Sequence, residues 1–293
     1  MASFNLKKIS FVYLLSVPVL ATALAFIIGH VNYRIYIPVW LLNAALMAMA
    51  TRTLLKAQDQ LSVKTASFFI FPWMLFAIFG GMGPPPETAA GWALLANEQV
   101  FRYTFLIAGG ISMGIGFYRL NKVMENTPGS QYARCSNILI IIALPLFILN
   151  MAYWGYFVTN VFVTYSVEGA PAKPSWLKSI ATAFTIIRMV EVALIYFATA
   201  ALSTALRLAK QLSKAGSLLY VIFACLGAVL NMLPDTLSGP LAIANYLSYI
   251  PAFTLLMPYL IAINLLAKSG SNIHHTDSDS KEPRTDIRTN DQK

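Results

Sequence analysis

Eight apolar runs, separated by polar connections that alternate in their content of lysine and arginine, leave this chain few folds to choose from. A helix crosses a bilayer with ~20 predominantly apolar residues. The runs fall at about 9–29, 36–55, 66–83, 101–119, 137–158, 179–206, 217–236 and 241–267. Hydrophobic residues make up 57% of the chain and charged residues 11%, against about 25% charged in a soluble domain. So few charges cannot cover the surface of a water-soluble body of this size. In lipid every backbone N–H and C=O must be satisfied internally, so spans are helices or a closed barrel. Barrel strands alternate apolar and polar residues over ~10 positions. The runs here are continuously apolar, as in Ile138–Leu149. The expected fold is therefore all-α: a polytopic integral membrane bundle of about eight helices, occupying 1–268.

Charge sets the expected threading. Cytoplasmic connections are enriched in Lys and Arg. On one side lie Lys7, Lys8, Arg52, Lys56, Lys64, Arg119, Lys122, Arg134, Arg207, Lys210, Lys214 and Lys268. The other side carries only Arg34, Arg102, Lys173 and Lys178. Both termini are thus expected in the cytoplasm. The net charge of +9 is this asymmetry and not a nucleic-acid surface, which would need a clustered basic patch with its own fold. Lys7 and Lys8 before an apolar run also resemble a signal peptide. The run continues through Phe26-Ile27-Ile28, beyond the candidate cleavage sites, so a retained anchor is expected. Compact loops without an Asn-x-Ser/Thr acceptor are compatible with a bacterial cytoplasmic membrane.

The tail, 269–293, is polar and charged and is expected to be disordered and cytoplasmic. It holds His274 and His275. The two cysteines, Cys135 and Cys225, form no CxxC and no disulfide framework. The link 84–100 opens with Pro84-Pro85-Pro86, which cannot continue a helix, and then offers a half-turn around Trp92. Tyr33, Tyr36, Trp40, Tyr153, Trp154, Tyr156 and Trp176 fit an interfacial aromatic belt.

Chemistry concentrates in the sixth run. Arg188 and Glu191 both fall inside it, and each charge near a span centre costs about 2.5–3.5 kcal/mol on insertion scales. Their i, i+3 spacing lets the side chains meet on one face, with Thr185 beside Arg188. Arg188 then reads as an anion anchor and Glu191 as a proton or cation partner, or the two form a structural ion pair. Asn43, Asn150, Asn231, Asn245 and Asn264 supply a neutral polar layer that can bridge helices for ~0.6 kcal/mol each. Pro251 and Pro258, with Tyr246, Ser248 and Tyr249 nearby, mark the eighth run as kinked and cavity-lining, as in the broken helices of transporters. Gly110 and Gly114 form a GxxxG packing seam.

The candidate ligand-binding set is Arg188, Glu191, Thr185, Asn231, Asn245 and Tyr249. No nucleotide cradle, metal motif or nucleophile elbow is present, so neither a cofactor nor a metal is implied. The expected partners are the lipid bilayer and a small-molecule solute, with no nucleic acid. A small-molecule or ion permease fits these features. The alternatives are a non-catalytic membrane subunit or assembly partner, and an enzyme acting on a lipid or quinone with Glu191 as acid/base.

Overall fold

The computed structural model describes residues 2–55, 61–166, 172–234 and 238–268. Lys56, Asp59, Glu168, Asp235 and the tail with His274 and His275 lie outside the described residues. Among those described there are helices and connections and no strand. The elements are α1 (Ala2–Ala23), continued by a π-helical segment Leu24–Ile28, α2 (Tyr33–Leu55), α3 (Leu61–Phe76), α4 (Phe79–Met82), α5 (Ala89–Leu94) and α6 (Ala96–Met124). They continue with α7 (Ser130–Ala152), a second π segment Tyr153–Val158, α8 (Thr159–Tyr165), α9 (Trp176–Leu208), α10 (Lys214–Asn231), α11 (Pro240–Tyr249), α12 (Pro251–Thr254) and α13 (Leu256–Lys268). Seven helices are long and apolar enough to span a membrane, and the bent pair Pro240–Tyr249 and Pro251–Ala267, counted as one broken span, brings the number to eight. The chain is an all-α, multi-pass membrane protein.

Every spanning helix begins before its apolar run. Past the end, α6 and α9 continue as well, and so does α7 through its π segment and α8, whereas α10 stops at Asn231, short of the end of its run. The hydrogen-bond ladder propagates into flanking polar residues once it is nucleated. Cys135 consequently sits on α7 and not in a connection. Pro18, Pro38, Pro72 and Pro145 all lie inside helices. Neighbouring helices and local adjustments satisfy the backbone groups that a buried proline frees. The link after Pro86 is more than the expected half-turn. Thr88 caps α5, accepting from the Gly91 N–H at 3.1 Å. Trp92 is buried and donates its indole N–H to Thr159 Oγ1 at 2.9 Å, so the segment packs inward.

Packing runs in sequence from α10 to α9, α7, α6 and α3, with α1 against α2 at one flank. The last helix, α13, returns to the middle, where it meets α3, α1 and α9. Phe69, Trp73, Phe117, Phe147 and Tyr259 fill the interior. The Tyr259 hydroxyl donates to the Leu14 carbonyl, tying α13 to α1. Small residues let α6 approach its neighbours. A Cβ on Gly110 would stand 2.5 Å from the Phe147 ring, and one on Gly114 2.7 Å from Leu144. Large apolar side chains face outward along the spans, among them Val19, Ile27, Leu42, Ile141 and Ile222. In water such a surface would aggregate; in a bilayer it is solvated by acyl chains.

The eighth span breaks where the sequence places Pro251. Ile250 is extended (φ −63°, ψ 122°), the conformation that a following proline imposes. The two halves diverge by 73°. As a result α11 lies on α10 at the periphery while α13 enters the centre. The volume above the start of α13 is left to side chains from the surrounding helices.

Candidate functional site

That volume is a cavity of about 570 Å³ at the end of the bundle away from the described chain ends. Its wall draws on α1, α3, α6, α7, α9 and α11–α12. Both π segments border it: the first contributes Ala25 and Phe26, the second Trp154. A π turn is wider than an α turn and is frequent at functional sites. Close approach makes the second one fit, since a Cβ on Gly155 would stand 2.4 Å from Tyr103 Cβ. Trp73, Phe76, Trp92, Tyr103, Phe184 and Tyr249 give the cavity an aromatic interior. One or more helical turns below, Phe69, Met113, Phe117 and Phe147 are packed solid, so the cavity ends within the bundle.

Two guanidinium groups reach this wall, from different helices. Arg102 on α6 is 6% exposed. Its Nη2 donates to the Gly83 carbonyl at 2.8 Å, and its guanidinium carbon lies 5.3 Å from the centre of the Phe79 ring. Its Nε has no acceptor, and no carboxylate lies within 4 Å of it among the described residues. Arg188 on α9 sits over Tyr249, with its guanidinium carbon 3.7 Å from the ring centre. The stack joins α9 to α11 by cation–π attraction, which strengthens where water is excluded. Asn150 on α7, Thr22 on α1, Thr185 on α9 and the exposed carboxylate of Glu87 on the link before α5 are further polar groups on the wall.

Arg188 and Glu191 are not in ion-pair contact with each other. The Glu191 side chain turns toward α7, where Oε1 accepts from Asn150 Nδ2 at 2.8 Å. Glu191 is 1% exposed and stands behind Asn150, off the cavity wall. Its Oε2 and the Asn150 Oδ1 have no partner among the described atoms. Orphaned buried polar atoms of this kind are rare.

Of the candidate residues, the structure brings Arg188, Thr185 and Tyr249 together on the wall. Glu191 lies one layer behind. Asn231 and Asn245 are elsewhere. Asn231 donates to the Met189 carbonyl at 2.8 Å and fastens α10 to α9. Asn245 donates to the Leu230 and Leu233 carbonyls at 2.6 and 3.2 Å, closing the end of α10. The Leu230 carbonyl is among the last four of α10, which helix geometry leaves without an i+4 partner, and Leu233 lies just past the end of α10. The Met189 carbonyl instead lies mid-helix and takes the Asn231 bond in addition to its place in the α9 ladder.

Sequence reasoning passed over Arg102, which it counted with the loop charges, and placed Trp154 in the interfacial belt. The signal for Arg102 was its position one residue inside the fourth apolar run, four after Glu98. Trp154 carried none, because a widened turn sets its direction. Around the mouth, Gly83 (φ +65°) turns the chain at a point where a Cβ would meet Gly29 and His30 backbone at 2.9 Å. His30 Nε2 lies 3.0 Å from Glu98 Oε2. These contacts hold the 29–32 connection and the link that follows α4 against each other and against α6.

Comparison with protein-family models, curated proteins and solved structures returned no match.

Proposed function

We propose that this protein is a permease for a small organic anion, and that the cavity is the substrate site in a conformation open away from the cytoplasm. The supporting observation is the convergence of Arg102 and Arg188, from two helices, on one aromatic cavity. A guanidinium inside a bilayer is costly and is kept where it meets a substrate or a partner. Its planar fork matches a carboxylate or phosphate. The cavity volume falls within the ~300–1,000 Å³ of small-molecule sites. A broken span bordering the site is what alternating access uses elsewhere. In this reading the basic connections face the cytoplasm of a bacterial cell, and solute enters from the opposite side. An acid/base enzyme is less well supported, because the buried carboxylate of Glu191 is not on the cavity wall.

The test is counterflow of radiolabelled benzoate into proteoliposomes. Saturable flux is expected, reduced about tenfold or more by Arg102→Gln or Arg188→Gln, since a charge-assisted hydrogen bond contributes about 1.5–3 kcal/mol. Flux equal to that of protein-free liposomes, for benzoate and for decanoate, would refute the proposal. Saturable binding without flux would instead favour a non-catalytic membrane subunit.

A further inference from the structure

We infer that the cavity takes a single-headed acidic amphiphile, a compact carboxylate or phosphate on an aliphatic chain, which enters sideways from the lipid between α1 and α11. The inference rests on the permease reading and adds the substrate class and its route.

The cavity is graded in polarity along the bundle. At ~1.5 Å of rise per residue, Arg102, Asn150 and Arg188 all stand roughly 30 Å along their helices from the ends nearer the described termini. By the same count Trp73 and Phe76 stand roughly 20 Å up. These polar groups therefore share one level, with aromatic surface beneath them on the side of the described termini. A lipid in the leaflet away from those termini has the same order, head outward and chain inward. Arg102 holds a donor, Nε, with no acceptor, and Asn150 an acceptor, Oδ1, with no donor, and both atoms are covered by their neighbours. A side-chain rotation that turns them to the cavity lets an acidic head that can carry an O–H partner both. A fully solvated, chainless anion would leave the aromatic surface facing water.

The wall is incomplete on one side. Ala21, Thr22, Ala25 and Phe26 line the cavity from α1 and its π segment, and Tyr246 and Tyr249 line it from α11. Yet α1 packs on α2, α4 and α13, while α11 packs on α10 and α9, and the two share no substantial interface. The residues flanking this gap are apolar and exposed: Phe26 is 50% exposed, Ile27 82% and Ile243 63%. The cavity also reaches exposed Glu87 on the 84–87 link, which is a polar rim toward water. The side between α1 and α11 has no such group among its exposed flanking residues, so it is solvated by acyl chains, and a ligand arriving there keeps its tail in lipid throughout.

The test uses the full chain in phosphatidylcholine nanodiscs with 11-(dansylamino)undecanoate as the fluorescent probe. Saturable binding is expected, with energy transfer from the tryptophans. Decanoate and dodecyl phosphate should each displace the probe at least tenfold better than acetate and inorganic phosphate, and dodecyltrimethylammonium should not displace it. The order of decanoate and dodecyl phosphate identifies the head group. Thr22→Trp narrows the gap and should slow probe association at least fivefold more than it slows benzoate counterflow, while Phe26→Ala should speed it. Equal competition by chainless anions or by the cationic amphiphile would overturn the inference, as would equal slowing of probe and benzoate by Thr22→Trp. Benzoate counterflow without probe binding would sink this inference and leave the permease standing. Loss of both would sink both.

Discussion

Replacing Asn150 by leucine tests the central contact of the polar layer. The side chains share the same branching and heavy-atom count, so the change removes hydrogen bonding while putting two bulkier methyls in place of the amide oxygen and nitrogen, a packing change that Asn150→Ala in parallel controls for. Asn150 Nδ2 is the donor to Glu191 Oε1 at 2.8 Å, and Glu191 is 1% exposed. Interhelical hydrogen bonds in membranes average only ~0.6 kcal/mol, because the unfolded helices also find partners. A stranded buried acceptor costs more, about 1–3 kcal/mol. Asn150→Leu is therefore expected to destabilise the protein by about 1–3 kcal/mol, most of it from Glu191. Removing the carboxylate as well, in Asn150→Leu/Glu191→Leu, should recover most of that loss. The assay is reversible unfolding in mixed micelles, arranged as double-mutant cycles. The 150–191 coupling should exceed the 188–191 coupling, because Arg188 is stacked on Tyr249 and makes no ion-pair contact with Glu191. A 188–191 coupling above about 1 kcal/mol with none between 150 and 191 would refute the reasoning.

Three other substitutions probe the frame. Gly110→Ala places a methyl 2.5 Å from the Phe147 ring, so overpacking should cost about 1–3 kcal/mol in the same unfolding assay; Phe147→Leu in the same chain should return part of it. Trp92→Phe keeps the ring contacts but loses the bond to Thr159, and should lower stability by about 1 kcal/mol and make the 84–95 link more accessible to protease. Pro251→Ala restores an N–H and lifts the restriction on Ile250, so spin labels on α11 and α13 should report a bend smaller than 73°, and benzoate counterflow should fall as the cavity narrows.

The membrane class and the approximate number of helices were legible in the sequence. They depend on run length and hydropathy, which are local properties of the chain, and a bilayer permits almost nothing else for eight such runs. The break near Pro251 was legible for the same reason, since proline acts on the residue before it whatever the surroundings. The GxxxG seam was readable because only glycine admits a ring that close.

The site was legible only in part. Arg188, Thr185 and Tyr249 come together on the wall because two of them share a helix face and the third follows the break. Glu191 was expected beside Arg188, since i, i+3 spacing permits contact. Spacing permits it without requiring it, and a ring from α11 and an amide from α7 offer each side chain a partner across the bundle. Asn245 bonds to carbonyls exposed by where α10 ends, and Asn231 reaches a mid-helix carbonyl of α9 only because α10 packs against it. Arg102 and Trp154 join the cavity through the docking of the first connections and a widened turn. Apolar length and proline placement act through the chain itself, so the sequence alone determined a bundle of membrane helices with a broken last span. Which polar side chains meet depends on how helices distant in sequence rotate and pack, and only the tertiary structure decided that.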